Sequence, residues 1–108
     1  MTPLSRMHCA PSGQATALSD ADIEKNLGVL HGWEKVGKEI RKTFAFKNYH
    51  ETMAFVNASA WVSHREDHHP DMSVHYNKCV VAYSTHDAGG ITLNDFICAA
   101  KLDALLDA

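Results

Sequence analysis

Three histidines in two short motifs carry the chemistry this sequence can offer. Asp67-His68-His69-Pro70 closes a helical pattern, and Thr85-His86-Asp87 closes a β-branched run just before Gly89-Gly90. Imidazole titrates near neutrality, at about pH 6.5, so a pair of them can donate one proton and accept another in one reaction. The helix before His68 and the proline after His69 hold the backbone on both sides. Adjacent side chains point in different directions, so His68 and His69 can flank a small ligand rather than share a face. No carboxylate pair, phosphate-cradling glycine loop or nucleophile elbow competes with this reading.

The chain has eight histidines, and most need a plainer explanation. His8, His31 and His50 read as surface or capping residues, and His75 alternates onto the polar face of its strand. A metal site is the sharper rival. His64 and His68 are spaced i, i+4 on one helix face, and His69 or His86 could complete a set. Neither an HExxH pattern nor a cysteine pair supports it, so we expect no metal and no cofactor. Trp33 and Trp61, by residue type, are packing residues first.

These histidines have to be mounted on something. Residues 1–17 carry Pro3, Pro11, Gly13 and small polar residues without a period, and predict a loosely held, flexible arm. Residues 18–108 follow as a single domain. Ser19 caps a helix, with Leu18 and Ile23 as its hydrophobic staple, running toward Leu27–Leu30 and stopping before Gly32. Trp33–Val36 is a short strand, turned by Gly37-Lys38 into Glu39–Phe46, where Ile40, Phe44 and Phe46 share one parity and Lys42 breaks it. His50 to Asp67 lacks Gly and Pro and predicts a helix with a broad face on Met53, Phe55, Val56, Ala60 and Val62, ending around Asp67–His69. Met72–Tyr76 and Cys79–Tyr83 are strands joined at Asn77-Lys78. Thr92, Asp95 and the Ile91–Phe96 staple start a last helix through Leu105. The order α-β-β-α-β-β-α predicts an α+β fold: a four-stranded antiparallel sheet with helices packed on one face.

The totals bound the rest. A chain of 108 residues is one domain's worth, with 45% hydrophobic and 21% charged residues, which argues against disorder. The formal charge of −3 announces no basic face for nucleic acid. Cys9, Cys79 and Cys98 are odd in number and dispersed, which fits a reducing compartment. With no signal-like or membrane-length apolar run, we expect a cytoplasmic protein with no membrane partner. Oligomerisation would bury more surface than so small a chain can alone.

The segment His68-His69-Pro70, Tyr76-Asn77-Lys78, Thr85-His86-Asp87, Gly89-Gly90, Leu93 and Asp95-Phe96 resembles the pterin-4a-carbinolamine dehydratase signature. Gly32-Trp33, Ile40, Phe44–Phe46 and Phe55-Val56 also sit as in that family, so the resemblance runs from about Leu18 to the C-terminus. It implies the same α+β fold. It also implies dehydration of 4a-hydroxytetrahydropterin to quinonoid dihydropterin, the recycling step after aromatic amino-acid hydroxylation. By the resemblance, His68, His69 and His86 line the pterin site, Trp33 lies near it, and Ser84 and Thr85 offer polar contacts to the ring. Asp67 and Pro70 join the substrate-binding positions, with Asp67 either orienting an imidazole or facing solvent.

We assign His68 as general acid at the departing hydroxyl, His86 as general base at the ring, and His69 to position the substrate or share the acid role. Family members are homodimers or homotetramers, which implies the same here, with an aromatic amino-acid hydroxylase as partner. An animal member also serves a homeodomain transcription factor, and some bacterial members are linked to molybdopterin enzymes. The alternative reading is therefore a non-enzymatic dimeric regulatory or docking module. One departure stands out: position 64, often glutamate in the family, is His64, which implies altered pterin affinity and pH optimum.

Overall fold

The computed structural model describes residues 2–107. Its main elements are α1 (Asp20–Leu27), β1 (Glu34–Val36), β2 (Glu39–Ala45), α2 (Tyr49–Glu66), β3 (Asp71–Val74), β4 (Lys78–Tyr83) and α3 (Leu93–Ala104). Short 3-10 turns at Leu4–Arg6 and His86–Ala88 complete the path. The four strands form one antiparallel sheet in the order β1-β2-β4-β3. The α+β class and the order of elements are as predicted. Among the described residues no helix is long and apolar enough to cross a membrane.

The period-two pattern decides which sheet face is covered. Ile40 pairs with Tyr83 and Phe44 with Cys79 across the central strands, and all four are buried, as is Val81 opposite Lys42. The helices supply Ile23, Phe55, Phe96 and Leu102 to the same core. Lys42 breaks the apolar parity without harm because its ammonium escapes at the core's edge. It lies 4.8 Å from the Phe44 ring centre, pairs with Asp103 at 2.8 Å and donates to the His31 carbonyl at 2.9 Å.

Local caps set the helix ends more sharply than periodicity does. The Ser19 hydroxyl accepts from the Asp22 amide, as expected of a cap. α2 starts one residue before the predicted His50 because the Asn48 side chain accepts from the Glu51 amide at 3.0 Å. It ends at Glu66, where Asp67 turns left-handed at φ 52°, three residues before Pro70 could stop it. The buried face of α2 also differs from the expected one. Thr52, Phe55, Ser59 and Glu66 are buried, whereas Ala60 is exposed. The polar members are tolerated inside because they are paired: Thr52 donates to the Tyr76 carbonyl and Ser59 to the Val56 carbonyl.

The segment read as a loosely held arm makes specific contacts in the structure. Its 3-10 turn lies on α3, and the Lys101 ammonium donates to the Ser5 carbonyl at 2.9 Å. The Cys9 amide donates to Glu66, and Ala10 exchanges two hydrogen bonds with the Asn94 side chain. Backbone groups make most of these contacts, so the segment shows no hydrophobic period.

Candidate active site

Strand register brings the two histidine motifs together. Asp71 on edge strand β3 pairs with Ala82 on β4. Continuing that antiparallel register beyond the ladder lays residues 68–70 alongside residues 83–85. The C-terminal end of α2 and the C-terminal end of β4 thus meet at one edge of the sheet. A cleft of about 240 Å³ opens there, lined by Asp67, His68, His69, Asp71, Ser84, Thr85, His86 and Asp87 together with Ala10, Ser12 and Gly13. It is somewhat smaller than the ~300–1,000 Å³ of drug-sized sites.

Behind the lining of the cleft, a buried carboxylate with three donors holds the floor residue His68. Asp95 is fully buried. Its Oδ1 lies 2.6 Å from His68 Nε2. Its Oδ2 accepts from the Thr85 hydroxyl at 3.0 Å and from the Thr92 amide at 2.9 Å. A carboxylate in such a place is costly unless its lone pairs are used, and these are. An ionised carboxylate only accepts, so beside an ionised Asp95 it is Nε2 of His68 that donates in this pair. Any proton His68 exchanges with a ligand therefore passes through Nδ1. The ring is further held by stacking on Tyr83, with centres 5.7 Å apart and planes at 14°. Burial pushes the Tyr83 phenol well above its ordinary pKa, so it stays neutral beneath the imidazole. Its hydroxyl has no hydrogen-bond partner among the described residues.

The rim is built differently. His69 and His86 are exposed, and neither ring makes a protein hydrogen bond among the described residues. His86 opens a tight loop in which the Thr85 amide donates to the Gly90 carbonyl and the Gly89 amide to the His86 carbonyl, both at 3.0 Å. Gly89 turns at φ 74°, a conformation that favours glycine. Asp67 is exposed on its left-handed cap. Asp87 accepts a long hydrogen bond of 3.4 Å from the Ser12 hydroxyl.

Of the residues expected to serve the site, Asp67, His68, His69, Ser84, Thr85 and His86 all line the cleft. The Thr85 hydroxyl, however, is engaged by Asp95 and Thr92 rather than free for a ligand. Pro70 and Trp33 are not among the lining residues. Trp33 is 6% exposed, with Nε1 donating to Asp103 at 3.0 Å and its ring packed on Phe44 and Tyr83. Its ring meets Tyr83, on which His68 stacks. His64 points elsewhere: it is exposed beside Trp61, with ring centres 6.1 Å apart. His68 turns inward to Asp95, so the i, i+4 pair does not converge. Among the described residues no three His, Cys, Asp or Glu side chains are placed to hold a metal ion.

Asp95 is the residue of the candidate site that the sequence understates. It reads there as a capping residue, and it does cap α3 with one oxygen while the other holds His68. The available signal was its place in the signature segment.

A family model described as pterin 4 alpha carbinolamine dehydratase matches residues 16–105. A Chromobacterium violaceum protein named "Putative pterin-4-alpha-carbinolamine dehydratase" is 61% identical over 102 residues, 94% of each chain. A Nitrosospira multiformis protein of the same name is 57% identical over 103 residues, 94% of this chain and 91% of its own. Among solved structures, a transcriptional coactivator/pterin dehydratase from Brucella melitensis superposes with a TM-score of 0.82 at 30% identity, covering 85% of this chain and all of that one. A pterin dehydratase-like RuBisCO assembly factor of the alpha-carboxysome superposes with a TM-score of 0.62 at 28% identity, over 72% of this chain and 93% of that one.

Proposed function

The chain belongs to the pterin-4-alpha-carbinolamine dehydratase family, and on that premise we propose that it eliminates water from a 4a-hydroxytetrahydropterin to give the quinonoid dihydropterin. The observation that carries this reading is the Asp95–His68 pair at the floor of a cleft whose rim holds His69 and His86. The substrate's hydroxyl sits on the carbon next to a ring nitrogen. Its departure needs a proton on oxygen and a push from the nitrogen lone pair, and a ring proton must then leave. His68, oriented by Asp95 and stacked on Tyr83, delivers the first proton from Nδ1. His86, on the opposite motif, accepts the second. His69 positions the ring. Acid–base assistance of this kind contributes ~10²–10⁴-fold, enough for a reaction that the neighbouring nitrogen already assists.

The physiological setting we propose is tetrahydrobiopterin recycling beside an aromatic amino-acid hydroxylase, in the cytoplasm, by a homodimer or homotetramer. The test is dehydration of the carbinolamine by the purified protein, followed for wild type, His68→Ala and His86→Ala. Wild-type rates in both variants would refute the assignment. The names of the two structural relatives favour a second reading, a regulatory or docking module. A purified wild-type protein without dehydratase activity would favour that one.

A further inference from the structure

Two buried polar side chains next to the site are not used by the proposed chemistry. Glu66 lies two residues before His68, with its side chain only 4% exposed. Asn94 lies one residue before Asp95 and is also buried. Both turn away from the cleft floor and bind the N-terminal segment. Glu66 Oε1 accepts from the Cys9 amide at 2.7 Å, and Oε2 pairs with His8 Nδ1 at 3.0 Å. The Lys101 ammonium stands 3.8 Å from the same carboxylate and donates to the Ser5 carbonyl. Asn94 accepts from the Ala10 amide at 2.8 Å and donates to the Ala10 carbonyl at 3.1 Å. The Cys9 thiol completes the seam, 3.5 Å from the Cys98 sulfur and 3.6 Å from the Asn94 carbonyl. Beyond this clamp the chain passes along the cleft, which Ala10, Ser12 and Gly13 line together with His68, His69 and His86. Ser12 touches Asp87 on the far side.

We infer that residues 10–13 form the outer wall of the ligand cleft, and that Glu66 and Asn94 are positioning residues that hold this wall against the two segments bearing His68 and Asp95. The inference rests on the functional reading above and adds a specificity element to it. The floor, made by the sheet and helices, carries the proton transfer. The wall encloses the part of a pterin that projects away from His68, so it governs how tightly and which ring substituents are bound. A positioning role of this kind acts on substrate affinity and leaves the turnover of bound substrate near wild type.

The test uses three full-length variants, with unsubstituted pterin as a fluorescent binding probe and the carbinolamine as substrate. Ser12 is exposed, so Ser12→Trp folds normally and places bulk in the wall; it should weaken pterin binding and raise KM about tenfold with kcat retained. Asn94→Ala removes one half of the clamp, and Glu66→Gln weakens the other by removing the charge that pairs with His8 and Lys101. Each should raise KM by a smaller factor and also speed alkylation of Cys9, mapped by mass spectrometry, by about fivefold as the segment opens more often. Undiminished pterin affinity in Ser12→Trp and Asn94→Ala, with wild-type protein binding the probe, would overturn the wall and leave the functional reading standing. Unchanged Cys9 alkylation in both Asn94→Ala and Glu66→Gln would overturn the clamp. A wild-type protein that bound no pterin would overturn the functional reading, and this inference with it.

Discussion

The floor and the rim of the cleft hold similar side chains by different means. On the floor, His68 is fixed from three sides: the Asp95 carboxylate at Nε2, the Tyr83 ring beneath, and the backbone, whose amide donates to the Ser63 carbonyl at 3.2 Å. On the rim, His69 and His86 are set by backbone loops alone. The difference separates two requirements of acid–base work. One nitrogen must be presented at a fixed place, and low exposure with a buried ionic partner achieves that. The other groups must admit and release a ligand, and exposed rings on tight turns allow that. On the proposed chemistry the floor is therefore expensive to alter in both stability and activity, and the rim in activity alone.

Removing the floor's anchor is the strongest way to break that contrast. Asp95→Ala strands the Thr92 amide and His68 Nε2 and leaves the Thr85 hydroxyl with the Thr92 hydroxyl alone. We expect a loss of about 2–4 kcal/mol of stability, read by urea unfolding, from unpaired buried groups and a lost cap. Dehydration should fall by ~10²-fold or more in the same variant. Wild-type stability would show that the carboxylate is no structural keystone. His68→Ala tests the chemistry with less damage to the fold, and single-turnover dehydration should slow by ~10²–10³-fold. His86→Ala should slow it by a smaller factor of ~10–10² and leave the urea midpoint unchanged. Equal midpoint shifts in the two histidine variants would erase the distinction between floor and rim.

Glu66 sharpens the comparison from the outside. Burial pushes its carboxyl up, but the Cys9 amide, the His8 ring and the Lys101 ammonium together hold it below the ordinary 4.5. A group whose folded value is depressed adds stability that is present above the unfolded value and lost as pH falls through the folded one. Glu66→Gln should thus flatten the fall in stability below about pH 4.5, measured by thermal unfolding across pH 3–6. The smallest effect is expected at His64. His64→Ala should leave the dehydration rate and its pH profile unchanged, because the ring lies outside the cleft. A displaced pH profile would restore the expectation that position 64 tunes the site.

Local patterns made much of this legible. Ser19 and Thr92 marked two helix starts, period-two runs marked β2 and β4, and the helix-to-proline junction placed His68 and His69 beside a turn. These features depend on neighbours a few residues apart, so the sequence displays them directly. The Asn48 cap was missed because no hydrophobic run follows it at once. The buried face of α2 was displaced because Thr52 and Ser59 look solvent-facing until their carbonyl partners are known. Trp33, expected beside the ligand, is held in the core by Asp103, 70 residues away.

By itself the sequence determined the order of elements, the α+β class, and the two motifs that carry His68, His69 and His86. Only the tertiary structure decided that Asp95 would share its carboxylate between a helix cap and His68, 27 residues away. It also decided that His64 would face outward, and that Cys9 would reach Glu66 across 57 residues. The physical reason is common to all three. Caps and strand alternation are local bonds written in adjacent residues, whereas these are single polar contacts between distant segments. No periodicity encodes such contacts, and they exist only once the sheet register and helix packing have brought the segments together.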